Sequence, residues 1–144
     1  MGGGLMVPQF SLSLVAVIFL LVGCVSHADD EEMYVTASAL TKVSSALEAA
    51  VYFDTPPEGL QDRALLEFAT EHDPSLLEPL DNFTLKANYV DRHGVVLVCD
   101  EPGRKALMKD LGCTAKLDEP YWDSTEEVPC RINPLSTDNC PGAQ

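Results

Sequence analysis

The sequence predicts an α+β domain: an amino-terminal amphipathic helix, a second shorter helix, then a small antiparallel β-hairpin with a third helix and a disulfide-stapled tail. Three observations carry that expectation. Leu40, Val43, Leu47 and Val51 recur at spacings of three and four, the apolar stripe of a helix with one buried face. Phe83, Leu85, Ala87 and Tyr89 alternate with Thr84, Lys86 and Asn88, and the apolar run Val95-Val-Leu-Val-Cys99 follows. Four cysteines, Cys99, Cys113, Cys130 and Cys140, then fall in a stretch whose prolines 129, 134 and 141 impose an irregular path.

The first helix is expected over about Met33 to Phe53. The acids Asp29, Asp30, Glu31 and Glu32 stand before it, where negative charge complements the helix dipole. Asp54-Thr-Pro-Pro-Glu-Gly59 breaks it, because two prolines cannot continue a helix. A second helix follows over about Gln61 to Glu71, with Ala64, Leu65, Phe68 and Ala69 inward. Asp73-Pro74 reads as a cap and first residue of a short turn carrying Leu76, Leu77 and Leu80. In the hairpin, Asp91-Arg-His-Gly94 supplies the turn, with Gly94 free to adopt positive φ. The strand Val95 to Cys99 should be buried on both faces. Asp100 is expected to cap the third helix, from Pro102 to Leu111, which Gly112 would end. In the tail, Leu117, Tyr121 and Trp122 are the residues expected to pack.

The chain has 144 residues, 9 basic against 23 acidic, for a net charge of -14. Residues 1 to 23 contain no Asp, Glu, Lys or Arg, so all of that charge lies from Cys24 onward. This later part is long enough for one compact domain and too short for two. Such an acid excess argues against a nucleic-acid partner, which needs a basic patch to release counterions. It likewise disfavours docking of the domain surface on anionic headgroups, and it suits solubility.

The apolar run from Leu14 to Val22 is the length of a signal-peptide core and short of the roughly 20 residues of a membrane span. Residues 1–23 are thus expected to be a signal peptide, 24–32 a tether and 33–144 the domain. Leu21-Val22-Gly23-Cys24 resembles the bacterial lipobox, whose cysteine is diacylated and becomes the new amino terminus. That resemblance implies lipidation of Cys24, and Val25 in place of an aspartate after it resembles outer-membrane cargo. The n-region departs from the usual pattern in carrying no Lys or Arg. Ser26-His27-Ala28 offers a competing small-x-small site for ordinary signal peptidase. If Cys24 is the anchor, residues 25 to 32 form a polar tether spanning at most roughly 27 Å when extended.

Five cysteines leave one over in an exported protein. With Cys24 an address or removed, the other four can form two disulfides, as an oxidising compartment favours. Cys130 with Cys140 is the favoured pair, which leaves Cys99 with Cys113; the alternative pairings stay open.

Catalytic and metal signatures are missing. His27, His72 and His93 lie at no metal spacing, and there is no Cys-x-x-Cys, Gly-x-Ser-x-Gly elbow or phosphate loop. No cofactor is expected. Tyr121-Trp122, beside Asp118, Glu119 and Asp123, is the one candidate ligand contact, suited to a cationic or sugar ligand if exposed and to closing the core if not. Val96-Leu-Val-Cys-Asp-Glu-Pro-Gly-Arg-Lys-Ala-Leu107 and Leu111-Gly-Cys113, after the Asp73-Pro74 turn and the hairpin, resemble a group of uncharacterised proteobacterial lipoproteins. The resemblance implies an envelope location and no activity. The expected role is therefore a non-enzymatic binding or assembly component, held by its lipid anchor at the outer membrane and facing the periplasm, with an envelope protein or glycan as partner. The alternative is a soluble secreted or periplasmic binding domain cleaved after Ala28.

Overall fold

The computed structural model describes residue 2, residues 25–133 and residue 140, and in the first helix it describes side chains from residue 29 onward. The apolar run before Val22, the lipobox with Cys24, and Pro134 and Pro141 lie outside the described residues. The chain divides into two compact units, Met1–Glu32 and Met33–Gln144.

Helix α1 is Val25–Phe53. Residues 25–32 are therefore helical, not an extended tether, and eight helical residues advance only about 12 Å. Asp29 to Glu32 are exposed and lie within α1, one turn later than a position flanking its start. From Met33 onward the expected stripe holds: Leu40, Val43 and Leu47 are fully buried and Val51 nearly so. Helix α2 is Asp62–Ala69, and a 3-10 helix spans Pro74–Leu80 with Pro74 in its first turn.

Four strands form one antiparallel sheet in sequence order: β1 Thr84–Val90, β2 His93–Cys99, β3 Ala106–Asp110 and β4 Glu119–Pro120. The β1–β2 hairpin closes through Asp91 and Arg92, both at positive φ (50° and 70°), the two-residue turn whose twist suits a hairpin. His93 thus belongs to β2 and pairs with Val90. Gly94 also lies in the strand, without positive φ, for a different reason from the one its turn-like context suggested. A Cβ there would lie 2.6 Å from Leu47 Cγ, so glycine lets α1 approach the sheet.

The third helix expected from Pro102 to Leu111 is instead a turn followed by β3. Asp100 does cap, but it caps the turn: its carboxylate accepts from the backbone N–H groups of Arg104 (2.7 Å) and Lys105 (3.0 Å). Gly103 takes φ 70° there. The chain then pairs Val96, Leu97 and Val98 with Asp110, Lys109 and Met108, and the alternating burial of Ala106, Met108 and Asp110 is that of a strand.

The two faces of the sheet are covered differently. One carries Leu85, Ala87, Val96, Val98 and Met108 into the main core with the apolar sides of α1, α2 and the 3-10 helix. Full burial of each large side chain contributes on the order of 1.5–3 kcal/mol before chain entropy is counted. The other face carries Leu97, Cys99 and Ala106 beneath a strap of Val128, Cys130 and Ile132. Cys130 N–H donates to Arg104 O (2.9 Å), and Ala106 N–H donates to Val128 O (2.7 Å). The edge strand β1 is blunted: Ala87 N–H donates to Asp62 (3.1 Å) and Tyr89 N–H to the Asn88 side chain (2.8 Å).

The four cysteines of the second unit do form two disulfides, in a pairing other than the favoured one: Cys99–Cys130 and Cys113–Cys140. Because β3 replaces a returning helix and pairs its first residue, Ala106, with Cys99, Cys113 lies beyond the far end of β3. Cys99 faces the strap instead and takes Cys130. Among the described residues no helix is long and apolar enough to cross a membrane.

Candidate functional site

Tyr121 and Trp122 are consecutive, and the structure places them on opposite sides of the sheet. Trp122 packs against the main core, edge-on to Phe83 with ring centroids 5.9 Å apart. Tyr121 packs under the strap with Leu97 and Val128. They do not form one aromatic platform, and each has its own surroundings. Tyr121 N–H donates to Leu107 O (2.8 Å), which fixes it beside β3.

Tyr121 shares its face of the sheet with two cations, Lys109 and Arg131, as well as with Glu119. Strand register sets Lys86, Leu97, Lys109 and Glu119 opposite one another in a single cross-strand row. Leu97 Cβ lies between two lysines, each about 5 Å from it at that spacing. Arg131 joins them from the strap, directly after disulfide-bonded Cys130. The result is a recess of about 150 Å³ with Val95, Leu97 and Ile132 as apolar walls and Lys109, Tyr121 and Arg131 among its polar groups. A second hollow of about 370 Å³ shares Arg131 and Ile132 and extends over Lys86 to Asp62 at the edge of β1.

These cations differ in what they already hold. Lys86 Nζ pairs with Asp62 (3.0 Å), and Arg63 pairs with Glu67 and Asp81. Among the described residues, no ion pair or side-chain hydrogen bond engages Lys109 or Arg131. Glu119 faces Lys109 across the strands without closing to ion-pair distance. Burial first, and the Glu119 charge second, push the Tyr121 phenol above its ordinary value, so its hydroxyl stays protonated and can donate.

A larger open groove of about 460 Å³ runs between α1 and the 3-10 helix. Val35, Ala39, Leu76 and Pro79 line it with Tyr34, which is 70% exposed, and Lys42. Among the described residues on its walls, Lys42 is the one charged side chain.

Two further polar groups lie where α1 meets the sheet. Glu48 accepts from His93 Nδ1 (2.8 Å) and from Gly94 N–H (2.8 Å), tying the helix to the start of β2. Asp110 is fully buried beside Ser44, and its Oδ1 accepts from Asp118 N–H (3.2 Å). Asp118 in turn accepts from Leu111 N–H (2.8 Å). Asp110 Oδ2 and Ser44 Oγ are both buried and have no hydrogen-bond partner among protein atoms. Burial pushes the Asp110 carboxyl up to about 6, with the neighbouring Asp118 charge adding to the rise.

His72, at 96% side-chain exposure beside Glu71, is the solvated helix end that its sequence context suggests. No group of three or more His, Cys, Asp or Glu side chains among the described residues is arranged to hold a metal ion. No family model, curated protein or solved structure matches the chain.

Proposed function

We propose that this chain is an exported envelope protein, anchored by an acylated Cys24, that acts by binding and not by catalysis. The observation that carries the proposal is the pairing of Cys99 with Cys130 and Cys113 with Cys140. Two disulfides in so small a domain suit an oxidising compartment, and they account for four of the five cysteines. Cys24, the fifth, directly follows the apolar run in a lipobox-like setting. Several acyl chains on one cysteine add about 0.8 kcal/mol per buried methylene, enough for an anchor that does not dissociate.

The rival cleavage after Ala28 would fall inside α1, whereas signal peptidase takes its substrate extended. That favours Cys24. A binding role suits the geometry: a recess with uncommitted cations and an apolar groove, each mostly apolar with a few polar groups. The buried carboxylate Asp110 serves a helix–sheet junction and opens into neither.

Intact mass of the mature protein, with and without reductant, tests the proposal. An amino-terminal acylated Cys24 and four cysteines that react only after reduction are the expected result. An unmodified amino terminus at Asp29 would replace the anchored protein with the soluble one.

A further inference from the structure

We infer that the 150 Å³ recess beneath the strap binds a carboxylate carried on a short apolar body, with Lys109 and Arg131 holding the carboxylate and Tyr121 donating a hydrogen bond to it. The inference takes binding from the proposed function and stands apart from the anchor.

Three observations converge on it. First, the chain is strongly acidic, yet among the described residues no acid lines this recess, which presents two cations that no described carboxylate engages. An anion arriving there would meet donors that are already in place and that no other described side chain engages. Arg131 offers a planar fork matched to a carboxylate, and Lys109 a second charged donor beside it. Second, the remaining walls are mostly apolar: Val95, Leu97, Val128, Pro129 and Ile132, with Asn133 beside them. An inorganic anion would leave them uncovered, whereas an aliphatic body would bury them. Third, the volume lies below the roughly 300–1,000 Å³ of sites for drug-sized ligands. It suits a body the size of one amino-acid side chain.

The site is also built, in the sense that its parts are fixed by the fold. Lys109 is held opposite Leu97 by the β2–β3 register, and Arg131 is held by the Cys99–Cys130 disulfide one residue away. Glu119 is in register with Lys109 across β3 and β4 but does not line the recess. Such chemistry comes from two sources: a free short branched acid, or the carboxyl-terminal residue of a peptide with an aliphatic side chain.

The test is an amide-shift titration of the disulfide-bonded mature chain with four probes: isovalerate, a Gly-Gly-Val tripeptide, its carboxamide, and inorganic phosphate. The expected result is saturable shifts at the Val95, Leu97, Lys109 and Tyr121 amides with one or both carboxylates. Binding of isovalerate assigns the free acid, and binding of the tripeptide alone assigns a peptide terminus. Replacing Lys109→Gln together with Arg131→Gln should weaken binding at least about tenfold, since charge-assisted bonds are lost. Tyr121→Phe should weaken it about tenfold, as one hydrogen bond to a charged acceptor is lost. Among the described residues no side-chain bond engages Lys109 or Arg131, so an unchanged spectrum far from the recess is expected in the double variant. The inference is overturned if no carboxylate gives saturable shifts, if the carboxamide binds as tightly as the acid, if phosphate alone binds, or if the double variant binds as the parent does. A chain acylated at Cys24 that fails this titration keeps the anchored function and loses this site alone.

Discussion

Gly112 lies so close to α1 that a Cβ on it would sit 2.3 Å from the carbonyl oxygen of Ser44. Its φ of 70° is also one that side chains rarely adopt. Gly112→Ala is therefore expected to destabilise the domain by about 2–4 kcal/mol, the sum of left-handed strain and displacement of a helix backbone. Gly59→Ala provides the comparison: φ is 82° there, but nothing lies within 4 Å, so the loss should stay near about 1 kcal/mol. Urea denaturation of both variants checks the difference.

The Asp110 carboxyl should make the domain less stable as pH rises. Its folded value is about 6 against an ordinary 3.8, so between those pH values the native state holds more proton than the unfolded one. The associated stability is complete below about 3.8 and is lost as pH rises through about 6. The shift corresponds to up to about 3 kcal/mol. Asp110→Asn should recover part of it at neutral pH. The amide oxygen still accepts from Asp118 N–H, and the new NH₂ faces the unpartnered Ser44 hydroxyl. Denaturation midpoints at pH 4.5 and 7.5 should show a higher midpoint for the variant only at 7.5; equal gains at both would rule out titration of Asp110 as the cause.

Leu47 and Gly94 should couple in a double-mutant cycle. Leu47→Ala alone opens a cavity in the core, expected to cost about 2–5 kcal/mol. Gly94→Ala alone forces its Cβ against Leu47 Cγ. In the Leu47→Ala background that Cβ enters vacated space, and Gly94 has no positive φ to forbid it. The second change should then be neutral or stabilising, with a coupling of about 1 kcal/mol or more. Additive losses would contradict the packing described.

What could be read from the residues was the part set by local periodicity. The α1 stripe and the β1–β2 alternation each show within one element, and both gave the α+β class. Asp100 shows why β3 could not be read in the same way: an aspartate that accepts from following backbone N–H groups starts a helix or closes a tight turn with the same chemistry. Pairing with β2 decided between them. Gly94 likewise looked like a turn glycine, and only the distant Leu47 explains it. The recess was concealed for a related reason. Lys109, Tyr121 and Arg131 stand among Asp118, Glu119 and Asp123 in sequence, and strand register with one disulfide gathers the two cations at one recess while leaving Glu119 opposite Lys109. The alternation of Lys86 with Ala87, and of Lys109 with Met108 and Asp110, was the available signal that both lysines share the helix-free face.

The disulfide pairing has a direct chemical consequence. Peptide mapping of the unreduced protein should link Cys99 to Cys130 and Cys113 to Cys140, and any Cys130–Cys140 fragment would contradict the fold. The two bridges enclose similar loops, with separations of 31 and 27 residues. Constraint of the unfolded chain alone gives each about 3.5 kcal/mol. Their surroundings differ. Cys99 is fully buried in β2, and the bridge to Cys130 helps to hold the strap over Leu97 and Ala106. Replacing Cys99 and Cys130 together by serine should therefore cost more than replacing Cys113 and Cys140, because two hydroxyls would enter an apolar contact and the strap would lose its staple. Thermal unfolding of the two double variants, made separately under oxidising conditions, should rank them in that order. The Cys113→Ser/Cys140→Ser variant should keep the recess intact, whereas the other should lose the position of Arg131.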